Sequence, residues 1–425
     1  MLRELARRMI QVGRLTVRIG DEPSFTVGTV PIGSPELDVT IRLRNRWIAN
    51  LLALDPEYQL GPTYMDGDLT IERGSIGSFM ELIGRNLGFH PGAGALGKAR
   101  DLLGRLVART NSAALARRNV AHHYDLSEGF FRLLLDDDLQ YSCAYFAEPG
   151  MTLEQAQATK KAHIAAKLDL AARQRVLDIG CGWGGLALSL AKAADVNVTG
   201  ITLSAEQLRI ASARAAAEGL ADRVHFELVD YRTVRGRFDR IVSVGMFEHV
   251  GREYLGDYFG AIDRLLANDG VALIHFIARK DAGAGSDRWT RRYIFPGGYI
   301  PSVSQALAAL EPTGLWPTDA EMLRLHYAST LRCWRQRASA HRAVIEELYG
   351  ARFYRMWEYY LASCEMSFRF NGLMVLQLQI ARAVDTLPIT RTYMAETEQR
   401  LRADMQAGLP AALAYEAALE KARRC

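Results

Sequence analysis

Residues Val176 to Gly185 read V-L-D-I-G-C-G-W-G-G, an apolar run that breaks into glycine. The pattern predicts a strand, a tight turn and then a helix, where bare backbone lets a ligand approach the helix N-terminus closely. Gly180, Gly182 and Gly185 satisfy G-x-G-x-x-G, the spacing of a dinucleotide-binding turn. Two features speak against a dinucleotide. Asp178 stands inside the motif, two residues before the first glycine, and the next strand ends in Thr202-Leu-Ser204 instead of an acidic residue. Gln207 follows, at a place where an amide can reach a ribose in place of that carboxylate. Asp230-Tyr231, directly after the third strand, offers a carboxylate acceptor to the exocyclic amine of a purine, although the same aspartate serves equally as a turn or cap residue.

A second set of residues has the types needed for proton handling. Cys143 sits in Y-S-C-A-Y-F (141–146), Glu248 and His249 in M-F-E-H-V, His275 and Ile277 in I-H-F-I, and Tyr327 in H-Y-A-S-T-L. Taken one at a time they have plainer readings: Cys143 as a small buried side chain, Glu248-His249 as a helix cap, His275 as a satisfied core histidine.

The elements that must position these residues alternate. Strand patterns at 175–179, 197–201, 224–229, 238–244 and 271–275 are separated by helical segments such as 204–218 and 253–267. This argues for an α/β domain, a doubly wound parallel sheet. Before it, residues 14–72 hold short alternating strands, with helical stretches at 45–54 and 75–87, a small α+β unit. A Gly/Pro cluster at 88–97 and a basic segment at 98–118 follow. The segment pairs Lys98, Arg100, Arg105 and Arg109 with Leu102, Leu103 and Leu106, which fits either an amphipathic helix on anionic headgroups or a solvated linker. The domains expected are 1–110 and 118–425.

The whole chain has 425 residues, 49% hydrophobic and 24% charged, so a folded protein of two domains is expected. A net charge of +4 suits contact with an anionic surface and falls short of a nucleic-acid binder. Five scattered cysteines form no C-x-x-C pair, which suggests neither a disulfide framework nor a zinc site, and no metal is expected. Without an apolar h-region near Met1 or a run of roughly 20 apolar residues, the reading is a cytoplasmic protein that would reach lipid only from the membrane surface.

In order along the chain, H-Y-D-L-S from His123, Y-S-C-A-Y-F, the glycine loop, T-L-S-A-E-Q to Gln207, F-D-R-I-V-S-V-G-M-F-E-H-V-G to Gly251 and Y-I-F-P-G-G-Y-I-P-S to Ser302 together resemble the cyclopropane-fatty-acyl-phospholipid synthases and their mycolic acid relatives. The resemblance runs from about residue 118 to 385; Tyr64-Met-Asp-Gly-Asp68 extends it more loosely to the N-terminal part. It implies a Rossmann-like class I methyltransferase sheet with helical insertions, using S-adenosylmethionine. The substrate implied is an unsaturated acyl chain of a membrane phospholipid, acted on by a homodimer peripheral to the inner face of a bacterial plasma membrane.

A neutral cis alkene is a weak nucleophile, and the sulfonium methyl is a strong electrophile. Transfer leaves a cation, and ring closure then needs a base and a dry site. The resemblance implies bicarbonate as that base. It would be held by the Cys143 amide and side chain, by Glu248 accepting its proton, by the His275 ring and the Ile277 amide donating, and by the Tyr327 phenol. It also implies that Tyr141 and Ser142 touch the methionine portion of the cofactor and that Gly180 and Gly182 approach it by backbone. Phe276, where relatives carry a smaller residue, would alter the acyl pocket. A branched methyl product on the same scaffold is the competing outcome.

Overall fold

The computed structural model describes residues 1–87, 127–282 and 287–407, with side chains described to residue 403. The basic segment 98–118 and His123 lie outside the described residues.

The chain forms two compact units. One comprises 1–109, 287–294 and 331–373, the other 110–286, 295–330 and 374–425. This differs from a linear division near residues 110–118, because late segments fold back onto the first unit. The helix Ala351–Phe370 packs on the helix Ile76–Leu87. Arg369 pairs with Glu81 at 2.6 Å, and Gly84 leaves room for Phe370, whose ring would lie 2.3 Å from a Cβ at that position. The first unit's sheet contains β1 (Gly13–Ile19), β2 (Phe25–Thr29), β3 (Asp38–Leu43) and β4 (Leu69–Arg73) in the order β2-β1-β3-β4. Period-two alternation turns Leu15 and Val17 of β1 inward, with Arg14, Thr16 and Arg18 on the other face.

The second unit's sheet has the strands β5 (Arg175–Ile179), β6 (Asn197–Thr202), β7 (Val224–Leu228), β8 (Phe238–Val244), β9 (Leu266–Arg279), β10 (Trp316–Leu323) and β11 (Leu373–Ala381). Their order is β10-β11-β9-β8-β5-β6-β7. The pairs from β9 across to β7 are parallel, while β10 and β11 are antiparallel. Both faces of the parallel part are covered: Val176 packs in one apolar cluster and its neighbour Leu177 in another, the burial that parallel strands require. Chain order reverses between β5 and β8, and loops that diverge at such a point leave a crevice at the carboxyl ends of the strands. Among the described residues no helix is long and apolar enough to cross a membrane.

Candidate active site

That crevice is a cleft, lined by all nine positions expected from the sequence to bind a cofactor: Tyr141 and Ser142, Asp178, Gly180 and Gly182, Thr202 and Gln207, and Asp230 and Tyr231. The turn after β5 runs through left-handed backbone at Gly180, Gly182 and Gly184, with φ of +83°, +54° and +84°. At Gly182 an added Cβ would meet no atom within 4 Å, so this glycine presents bare backbone to open space. Asp178 at the end of β5 is 1% exposed, and its Oδ2 has no partner among the described residues. Burial pushes its carboxyl up to about 7, against the opposing pull of the Lys160 ammonium. Thr202 donates Oγ1–H to Gln207 Oε1 at 2.8 Å. The carbonyl of that amide is thus engaged, which directs its N–H₂ to other acceptors.

Asp230 lines the cleft with both carboxylate oxygens already engaged. Arg232, two residues on, donates Nε to its Oδ1 at 2.8 Å and an Nη to its Oδ2 at 2.6 Å, so both oxygens already carry charged donors. A purine amine at this carboxylate would have to share it with Arg232. Tyr231 lies under the same guanidinium, 5.7 Å from ring centroid to Cζ.

The five residues expected to handle the proton do not line the cleft; Cys143 directly follows the lining residue Ser142, and Glu248 directly precedes the lining residue His249. Glu248 sits on the 3-10 turn Phe247–His249 that follows β8. His275 and Ile277 belong to β9, whose register sets Val244 opposite His275. The Ile277 amide donates to Glu248 Oε1 at 2.6 Å, so this amide, expected on the anion, is held by the glutamate instead. Glu248 Oε2 is buried with no partner among the described residues. Burial raises the carboxyl to about 7, and the Ile277 hydrogen bond moderates the rise. His275 is pushed well below the ordinary imidazole value, first by burial and then by the neighbouring Lys160. Gln377 Nε2 lies 3.1 Å from His275 Nδ1. An amide nitrogen only donates, so Nδ1 accepts and the ring proton sits on Nε2.

Cys143 is 1% exposed, and burial raises its thiol far above the ordinary value. Its loop is tied to the helix His326–Ala340: the Ala144 amide donates to Thr330 Oγ1 at 3.0 Å and the Phe146 amide to His326 Nδ1 at 3.0 Å. Tyr327 is half-buried on the first turn of that helix. Phe276 points the other way from His275. It is fully buried, edge-on to Phe247 at 4.6 Å in the core, so it does not shape a pocket on the histidine side.

Sequence reasoning missed the helix Leu153–Leu168, which a capping box starts: Thr152 Oγ1 accepts from the Gln155 amide, and Gln155 Oε1 from the Thr152 amide. Lys160, Lys161 and Lys167 on it look like a solvated face, yet the helix is buried almost throughout. Lys161 pairs with Asp138 at 2.6 Å. His163 lies between Glu321 at 2.8 Å and Glu398 at 2.7 Å, and Tyr145 stacks between its ring and that of His326, at 4.1 and 4.8 Å. The available signal was the scatter of Ala156, Ala158, Ala162, Ala165 and Ala166 among the polar residues, which leaves no purely polar face.

A family model described as mycolic acid cyclopropane synthetase matches residues 111–378. The chain belongs to that family. Its members' chemistry is methyl transfer, and this chain is an enzyme of the class I methyltransferase fold. A cyclopropane-fatty-acyl-phospholipid synthase of Escherichia coli (strain K12) is 37% identical over 372 residues, 87% of this chain and 94% of that one. A probable fatty acid methyltransferase of Pseudomonas putida is 37% identical over 381 residues, 86% of this chain and 91% of that one. The crystal structure of mycolic acid cyclopropane synthase CmaA1 complexed with SAH and CTAB matches with a TM-score of 0.59 at 34% identity, over 62% of this chain and 98% of that one.

Proposed function

We propose that this enzyme transfers a methyl group from S-adenosylmethionine to the cis double bond of an unsaturated phospholipid acyl chain and closes a cyclopropane ring, with bicarbonate as the base. The observation that carries the reading is the buried Glu248 carboxyl, one oxygen fixed by the Ile277 amide and the other unpartnered among the described residues, with a neutral His275 two residues before Ile277 on β9. The relative named as a cyclopropane-fatty-acyl-phospholipid synthase, similar along nearly its whole length, supports the substrate class. The SAH in the CmaA1 structure supports the cofactor.

The residues fit both groups. In the cleft, bare backbone at Gly182 and the orphaned Asp178 oxygen suit a polar, close-fitting ligand, with Gln207 on its ribose and Tyr141 and Ser142 on its methionine end. S-adenosylmethionine supplies the electrophilic methyl, and bicarbonate supplies a small base at Glu248 and His275. Glu248 would accept a hydrogen bond from the anion through its unpartnered Oε2, which would raise the anion's basicity. His275 would donate to it through Nε2–H, and Tyr327, half-buried on the first turn of its helix, would supply a phenol donor. The Ile277 amide acts one step back by fixing Glu248. Ring closure requires that water be kept from the cation that methyl addition leaves on the acyl chain.

The fatty acid methyltransferase of similar identity favours a second reading, a branched product without ring closure. Vesicles of monounsaturated phospholipid incubated with enzyme, cofactor and bicarbonate separate the two. Cyclopropane signals in proton NMR, with a mass gain of one methylene, are expected; a branched methyl at the same mass overturns ring closure.

Gly182→Ala tests the cofactor cleft. An alanine at this positive φ costs about 1–2 kcal/mol, but no protein atom obstructs its Cβ. The expected result is a drop of a few degrees in Tm with at least about tenfold weaker S-adenosylhomocysteine binding by calorimetry, as each tenfold needs only about 1.4 kcal/mol of lost contact. Unchanged affinity would place the ligand elsewhere.

A further inference from the structure

Lys160 is fully buried, and among the described residues no carboxylate neutralises it by direct hydrogen bond. Its Nζ donates instead to Gln140 Oε1 and to Ser142 Oγ, each at 2.7 Å. Three residues earlier on the same helix, Gln157 donates Nε2 to the backbone carbonyls of the same two residues, at 3.1 Å for Gln140 and 3.0 Å for Ser142. Gln140 and Ser142 both line the cleft. One helix face thus holds a stretch of cleft wall twice over, by its main chain and by its side chains.

The hydrogen-bond inventory fixes what Ser142 then offers. An ammonium only donates, so the Ser142 hydroxyl accepts from Lys160 and keeps its own proton for another partner. The carbonyl of Ser142 is engaged by Gln157. The hydroxyl is therefore a donor at the cleft wall with a buried cation directly behind it. Such an arrangement favours an acceptor that is itself negative, because a charge-assisted pair in a dry site is the strong kind. A cation set among neutral partners is costly on its own account, and an anionic ligand one hydroxyl away offsets that cost. Burial lowers the Lys160 pKa to about 8, with Asp136 and Asp138 opposing the shift, so the ammonium form still predominates at neutral pH.

We propose that Lys160 is a positioning residue that, through the Ser142 hydroxyl, holds the carboxylate of the amino-acid end of the ligand in this cleft. The assignment rests on the reading of the cleft as an S-adenosylmethionine site, and it adds which residue supplies the charge.

The test compares two ligands by calorimetry on the full chain: S-adenosylhomocysteine, and its decarboxylated analogue, in which the carboxylate alone is missing. For Lys160→Met, binding of S-adenosylhomocysteine is expected to weaken by about 10- to 100-fold, the range of a hydrogen bond to a charged group, while the analogue changes less than about twofold. Ser142→Ala should show the same selectivity, and it stands alone as the test if Lys160→Met does not fold. In the double variant the two losses should not add. Equal weakening of both ligands overturns the proposal, because it reports a wall that has merely lost its shape; so does an unchanged affinity for both. If the unaltered enzyme binds neither ligand, the cofactor reading of the cleft fails, and this assignment falls with it.

Discussion

Replacing Glu248 with glutamine should lower kcat by about 10²- to 10⁴-fold, the range that positioned acid–base groups contribute, while S-adenosylhomocysteine affinity and Tm stay near those of the parent enzyme. Glutamine keeps the oxygen that accepts from the Ile277 amide and removes a carboxyl that burial disfavours in its charged form, so the fold should not suffer. What disappears is the charge at Oε2. The pH profile supplies the second readout. Glu248 must be ionised to strengthen the base through the hydrogen bond it accepts from the bicarbonate hydroxyl, and its pKa lies near 7 because of burial. At fixed bicarbonate concentration kcat/KM of the parent should therefore fall as pH drops through about 7. His275, held well below the ordinary imidazole range, stays neutral across that window and adds no limb of its own. The residual activity of the variant should lack the Glu248 limb. A variant that turns over at the parental rate would remove Glu248 from the reaction.

His163→Leu should be the most damaging substitution to stability. The ring links the helix Leu153–Leu168 to β10 through Glu321 and to the helix Thr392–Ala407 through Glu398. Removing it leaves two part-buried carboxylates without their shared partner, although Lys167 still contacts Glu321. Breaking a buried ion pair costs about 3–5 kcal/mol, and the 15% and 23% exposure of the glutamates argues for the lower end, about 3 kcal/mol. Urea unfolding measures it. The pH dependence follows from the direction of the shift. Burial by itself lowers the His163 pKa, but the hydrogen bonds to Glu321 and Glu398 outweigh it, and the net pKa is raised. A raised pKa means stability that is fully present below the unfolded value of about 6.5 and is lost as pH climbs through the folded value. The gap between parent and variant should thus be widest near pH 6 and narrow in alkaline buffer. A gap that grows with pH would mean that His163 is neutral in the folded enzyme.

Much of this arrangement was legible in the sequence where local pattern and burial agree. Strands β5 to β8 carry Val, Ile and Leu in short runs bounded by turn residues, and they lie where that pattern placed them. Strand β11 escaped notice because L-M-V-L-Q-L-Q-I-A is rich in helix formers; its place between β9 and β10 overrides that preference. Strand β10 escaped because W-P-T-D-A-E-M-L is polar and holds a proline, features tolerated only on an edge strand. At the site, the positions of the glycine loop followed from backbone needs that glycine alone meets. The partners of Asp230 and Ile277 did not, because which oxygen takes which donor depends on side-chain geometry a few ångströms across. Lys160 and His163 were invisible for a different reason: a charged residue on a helix is usually solvated, and only the packing of distant segments takes these two out of water.

The discontinuity of the first unit bears on how the protein is made. Its sheet is complete by residue 73, but the helix that covers Ile76–Leu87 is Ala351–Phe370. During synthesis that apolar surface waits for almost 300 further residues, at about 5–20 residues per second, while strands β5 to β10 of the other sheet emerge. The earliest part of the chain to be translated is thus among the last to be finished. A nascent chain stalled before residue 351 would present an uncovered helix to chaperones and proteases, and an isolated fragment ending near residue 110 would lack the partner that Glu81 and Gly84 are shaped to receive.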